Sequence, residues 1–161
     1  MILWFAGGSL VLVWSIFRDP AVDYRLVVVG AVLPDAVDGV FGGASVLHSL
    51  LFSVVLLAAV MLATRQQRVA RRRFLAVPIG TFLHLVLDAM WTRTHAFWWP
   101  FLGGSLHGPL PAFDHGVVVL VVEEALGAAA LVWWWLRFDL RDPERRARFL
   151  RTGRLPRDVV R

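Results

Sequence analysis

The chain has 161 residues, of which 58% are hydrophobic and 18% charged, a length suited to one domain and too little charge to cover a water-soluble globule of that size. It contains no cysteine, which excludes disulfide frameworks and thiolate metal sites. Seventeen basic residues, every one an arginine, face 12 acidic ones. That excess would suit nucleic acid, but the spacing of the arginines argues against it and no nucleic-acid partner is expected.

Met1–Phe17 is apolar and free of charge. It lacks the basic n-region and the small-residue cleavage site of a signal peptide, so it reads as a first membrane helix. Arg18-Asp19-Pro20, with Asp23 and Arg25, forms a polar hinge. Leu26–Leu33 begins a second helix that Pro34 is expected to break, because proline removes a donor and disfavours helix in the residue before it. Gly39, Gly42 and Gly43 then supply a flexible corner. Val46–Thr64 is a long apolar helix closed by arginines. Phe74–Trp91 is a fourth, Thr92–His115 a loop rich in Trp, Pro and Gly, and Gly116–Arg137 a fifth. About 20 residues span a bilayer core. The expected architecture is therefore an all-α, multi-pass membrane bundle of about five spans over residues 1–137, its second span short and broken near Pro34. Residues 138–161 follow as a basic cytoplasmic tail. In that tail Asp142-Pro143-Glu144 reads as an N-cap, a first-turn proline and a first-turn acid, with Gly153 as the stop.

Arginine marks the cytoplasmic side of a membrane. Two arginines fall in 18–25, five in 65–73 and nine in 137–161, leaving only Arg93 elsewhere. The expectation is an inner-membrane protein with a cytoplasmic C-terminus and with membrane lipids as its partners. The tail arginines face anionic headgroups.

The remaining ionisable residues converge in depth. At a rise of about 1.5 Å per residue, His84 and Asp88 lie about 17 and 22 Å above Arg73. His48 lies about 25 Å above Arg65, and Glu123 and Glu124 about 20 Å above Arg137. Asp38 lies about 20 Å above Arg25 if the segment stays helical. His84 and Asp88 stand at i and i+4, on one face of a helix. A single buried histidine is ordinarily a hydrogen-bonded core residue, and Asp35 could simply cap the segment after Pro34. Several carboxylates at one depth, however, repel each other unless something positive compensates. A divalent cation does so economically, and mixed imidazole and carboxylate ligands suit zinc, manganese or iron, with zinc or manganese expected.

Gly30-Ala31-Val32-Leu33-Pro34-Asp35-Ala36-Val37-Asp38, then His48-Ser49, His84-Leu85-Val86-Leu87-Asp88 and Trp99-Pro100, follow one another in an order that resembles the YdjM-like group of membrane-bound metal-dependent hydrolases. That group is also described as LexA-binding inner-membrane-associated hydrolases. The resemblance covers about residues 24–104. It implies a metal site at Asp35, Asp38, His48, His84 and Asp88. The chain departs from the pattern where many members carry a basic residue and a threonine before the His-Ser, since Ala44-Ser45-Val46-Leu47 stands there. The His-x-x-x-Asp helix is also similar to the zinc ligands of phospholipase C and related nucleases, which cleave phosphate esters.

The expected activity is hydrolysis of a lipid or lipid-linked phosphate ester in the outer half of the membrane, with metal-activated water and a carboxylate base. Glu123, Glu124 and Asp38 are the candidates for that base. His95, His107, Asp114 and His115 are candidates for the entrance, with ordinary loop and capping roles as the alternative. Ser49 is read as bonding helix backbone. The competing classes are an ion or proton pathway and a structural or docking membrane protein.

Overall fold

The computed structural model describes residues 1–41, 46–102, 116–156 and 158. All regular elements among them are helical. In chain order they are α1 (Ile2–Phe17), α2 (Tyr24–Phe41), a 3-10 turn at Val46–His48 and α3 (Leu50–Ala63). There follow α4 (Arg68–Phe74), α5 (Ala76–Leu87), a 3-10 turn at Met90–Thr92, α6 (Thr94–Phe97), α7 (Val117–Arg137) and α8 (Pro143–Thr152).

The five-span expectation is corrected here. Among the described residues one helix, α7, is long and apolar enough to cross a membrane. At 1.5 Å per residue, α1 is about 24 Å long, α3 about 21 Å and α5 about 18 Å, against a hydrocarbon core of about 30 Å. The long apolar runs of the sequence are divided by turns that hydropathy does not register. Phe74–Trp91 is cut at Asp88, where the backbone leaves helical geometry, and Ala89 follows in the left-handed region at φ 49°. The second helix is corrected as well: α2 runs unbroken through Pro34. It keeps Arg25, Asp35 and Asp38 within its length, so it is too charged to qualify as a span.

Two glycine contacts hold the bundle together. A methyl group at Gly30 would collide with the Val77 carbonyl, and one at Gly80 with the Val27 carbonyl, so α2 and α5 touch backbone to backbone. Gly7 and Gly127 do the same for α1 and α7, each excluding a side chain by the other helix's main chain. Small residues at such crossings let helices gain dispersion contact without a hydrophobic drive, as they do in membranes.

At one end an aromatic cluster closes the core. Trp14 meets Phe138 edge-on at 4.8 Å, Trp134 lies 4.4 Å from Phe138, and Tyr24 lies 4.8 Å from Trp134. The basic tail turns back onto this cluster. Phe138, Leu140 and Leu155 are buried in it, and Phe149 packs against it. The Asp142 side chain accepts from the Glu144 N–H at 2.9 Å, with Pro143 in the first turn and Gly153 left-handed at the end, as the sequence predicts. The hinge, the arginine loop and the tail meet on one face. Arg25 and Arg73 both reach Asp23, Arg72 reaches Asp19, and Arg25 donates to the Leu150 carbonyl.

α7 is the least covered helix. Only 11% of its apolar stretch is buried, which is unlike the core helix of a soluble domain. Val118, Val121, Val122, Leu126 and Val132 stand exposed along it.

Candidate metal centre

Asp35, His48 and His84 bring one ligand atom each to a common point between α2, the 3-10 turn and α5. The close α2–α5 crossing sets the span from Asp35 to His84. Ser49 fixes His48 from the other side: it caps α3 by accepting from the Phe52 N–H at 3.2 Å and donates to the Val46 carbonyl at 2.6 Å. Both imidazoles are fully buried, at 0% exposure, while the Asp35 side chain keeps 17%. The Phe5 ring packs on His84 with centroids 4.1 Å apart.

The partners of each ring define what its free nitrogen offers. His84 Nδ1 lies 2.8 Å from the Ala31 carbonyl, which can only accept, so Nδ1 carries the proton. His48 Nδ1 lies 2.7 Å from Asp38 Oδ2 and donates to that carboxylate. With both Nδ1 protons placed, the two Nε2 atoms face the same point, and each offers a lone pair when its ring is neutral. The two Nε2 atoms are 3.2 Å apart, and Asp35 Oδ1 is 3.3 Å from one and 3.6 Å from the other. Three such atoms facing one another repel unless a proton or a cation sits among them.

The spacing fits a metal ion. Ligands at about 2.0–2.2 Å from a tetrahedral ion stand about 3.3–3.6 Å apart, which is the size of this triangle. The outer contacts fit as well, because metal-binding histidines usually donate their second N–H to a carboxylate or a backbone carbonyl. Here one does each. The cluster is therefore a buried Asp/His/His set able to chelate a divalent cation.

The other residues singled out in the sequence lie as follows. Asp38 is buried behind His48, on its Nδ1 side, and outside the converging triangle. Asp88 is buried at the C-cap of α5 and is also outside the triangle. Glu124 accepts from the Leu3 N–H at 3.3 Å and lies 3.7 Å from the Met1 ammonium, at the start of α1. Glu123 is half-buried on α7. His95 is exposed on α6. His107, Asp114 and His115, and the glycine corner at Gly42 and Gly43, lie outside the described residues. Sequence reasoning missed the Ala31 carbonyl and Phe5. Ala31 is four residues before Asp35 and so on its face of α2, which is the one signal that could have pointed to it.

The family model described as YdjM inner membrane protein matches residues 2–141. No curated protein and no solved structure matches the chain. The matched stretch includes the whole cluster and α7, and together with that exposed apolar helix it marks the protein as membrane-associated.

Proposed function

The chain belongs to the YdjM inner membrane protein family, and from that premise we propose that it is a metal-dependent hydrolase with Asp35, His48 and His84 as the ligands of its ion. The observation that carries this reading is the pair of Nε2 atoms 3.2 Å apart beside a carboxylate. Three protein ligands are the number used by catalytic zinc sites, which keep a position for water, whereas closed structural sites use four. Zinc or manganese suits this donor set.

A bound ion would supply a water of lowered pKa and a Lewis acid for the scissile group. The chain's own residues do the rest. Asp38 is a positioning residue that holds the His48 proton on Nδ1. The Ala31 carbonyl does the same for His84. Phe5 and the α2–α5 contact exclude water from the imidazole side. Asp35, the one ligand with surface exposure, lies where substrate enters. In this reading α7 crosses the membrane with Arg137 and the arginine face on the cytoplasmic side, as the positive-inside rule favours.

The test is elemental analysis of protein purified in mild detergent, beside His48→Ala and His84→Ala variants. One transition-metal ion per chain is expected in the parent and none in either variant. Hydrolysis of a chromogenic phosphate ester should then follow metal content. Folded parent protein that binds no metal after reconstitution with zinc and manganese would overturn the assignment.

A further inference from the structure

A groove of about 410 Å³ runs between α3 and α5, with Leu50 and Leu83 at one end. Leu50, Val54 and Leu57 form one wall, a stripe at i, i+4 and i+7 on α3. Ile79, Phe82 and Leu83 of α5 form the other. Leu50 is two residues past His48, and Leu83 is the residue before His84. At the far end, about 10 Å along α3, lie Leu57 and the exposed last residues of α1, Ile16 and Phe17.

The lining offers no usable hydrogen bond. Its one polar side chain, Ser53, has its hydroxyl buried away from the surface. An extended peptide would have to leave backbone amides unpaired there, at a cost of several kcal/mol each. A hydrocarbon chain has no such demand. The walls are nonetheless open to the surroundings: Val54 is 52% exposed and Phe82 45%. In a membrane-associated protein those surroundings include lipid.

We infer that this groove seats the hydrocarbon chain of the substrate, with the chain's polar end at Asp35, His48 and His84. The inference rests on the hydrolase reading above and gives it a substrate class: an amphiphile with a single long chain in the groove and its scissile polar group at the Leu50–Leu83 end.

The experiment uses the full chain in nanodiscs doped with two phosphatidylcholine probes. One carries a diazirine at the end of an acyl chain, the other beside the ester. After illumination, adducts are mapped by mass spectrometry. The chain-end probe should mark Leu57 and Ile79, and the ester probe Leu50 and Leu83. Both should mark the groove several-fold above the exposed face of α7 at Val121 and Val122. Val54→Trp, at an exposed position that tolerates bulk, should cut groove labelling several-fold and leave α7 labelling unchanged, and Phe82→Trp should repeat the effect. Labelling no higher than on α7, or unaffected by both tryptophans, would overturn the inference. So would a groove occupied by a second copy of the chain, detected as a chain-to-chain cross-link. Metal content is measured in the same samples. His84→Ala should lose metal and keep groove labelling. Bound metal without groove labelling sinks the groove inference alone. Groove labelling without metal in the parent sinks the hydrolase reading, and with it the claim that this lipid is a substrate.

Discussion

Gly30 of α2 and Gly80 of α5 face each other so closely that a Cβ on Gly80 would stand 2.9 Å from the Gly30 Cα, well inside any real contact. This crossing sets the distance between Asp35, just over one turn beyond Gly30, and His84, one turn beyond Gly80. The geometry of the cluster is thus fixed by two residues that have no side chains.

Gly80→Ala should therefore separate the ligands as well as strain the bundle. Overpacking of this kind costs about 1–3 kcal/mol. The expected outcome is a lower melting temperature and a loss of bound metal larger than the loss of folded protein. Gly39→Ala is the control, because nothing lies within 4 Å of its Cβ position. Inside a helix that change should be neutral or stabilising, by up to about 1 kcal/mol. Thermal melts and elemental analysis on the same samples check both.

Asp38→Asn tests the positioning role. Asparagine keeps the shape but no longer demands a proton on His48 Nδ1, which frees the ring to place it on Nε2. Losing such an outer contact typically lowers metal affinity about 10–100-fold. Zinc titration by calorimetry should show that loss with one site per chain retained. Asp35→Asn should remove a ligand and abolish the site. Equal affinity in Asp38→Asn and the parent would refute the role given to Asp38.

Chelation supplies a third check. A ligand that binds only the folded state stabilises it by about 2.7 kcal/mol at a hundredfold excess over Kd. EDTA should therefore lower the melting temperature of the metal-loaded parent and leave that of His84→Ala unchanged. A parent indifferent to EDTA would mean that the cluster holds no ion.

Of the five residues that the sequence singled out as ligands, Asp35, His48 and His84 converge in the structure, while Asp38 and Asp88 lie outside their triangle. Asp35, His48 and His84 were legible because ionisable residues inside apolar runs are expensive and so stand out. The arginine face was legible because all three arginine segments were assigned to one side, and Asp23 and Asp19 do bind arginines from two of them. The number of spans was not legible. Hydropathy averages over a window and does not register turns such as Asp88-Ala89, where the backbone leaves the helix inside a run that stays apolar on average. Pro34 misled for a related reason. A proline inside a helix is tolerated when neighbouring packing holds both halves, and Gly30, four residues before it, is where α5 packs most closely. The separate roles of Asp35 and Asp38 could not be read from spacing alone. Three residues apart on one helix, they lie on one face, yet one faces His48 Nε2 and the other Nδ1.

The Arg72–Asp19 pair predicts a small pH effect on the arginine face. Partial burial opposes ionisation of Asp19, but hydrogen bonds from Arg72 and the Ala21 N–H, with the charges of Arg72 and Arg154, outweigh it and hold the carboxyl below its usual range. A depressed folded-state pKa stabilises the protein above the unfolded value, about 3.9, and that contribution is lost as pH falls through the folded value. The pair is exposed, so the effect should stay below about 1 kcal/mol. Arg72→Ala should lower the melting temperature slightly at pH 6 and by progressively less as the pH falls below 4. A difference that persists undiminished at pH 3 would show that Arg72 acts by packing.

Gly153 is the hinge on which the tail docks. Its φ of 70° is left-handed, its N–H donates to the Phe149 carbonyl at 2.7 Å, and its carbonyl accepts from the Tyr24 N–H at 2.9 Å. A Cβ there would collide with the Asp23 carboxylate that holds Arg25 and Arg73. Gly153→Ala therefore meets two penalties, about 1–2 kcal/mol for the backbone and a further cost for displacing Asp23. The expected result is release of α8 and of Leu155 from the aromatic cluster, with the metal site unaffected because it lies on other elements. Limited trypsin digestion reads this directly, since the tail is rich in arginine. The variant should be cut between Arg141 and Arg154 much faster than the parent, while the remaining chain keeps its metal. Equal digestion rates would mean that the tail is held by Leu155 and Phe149 and not by the Gly153 turn.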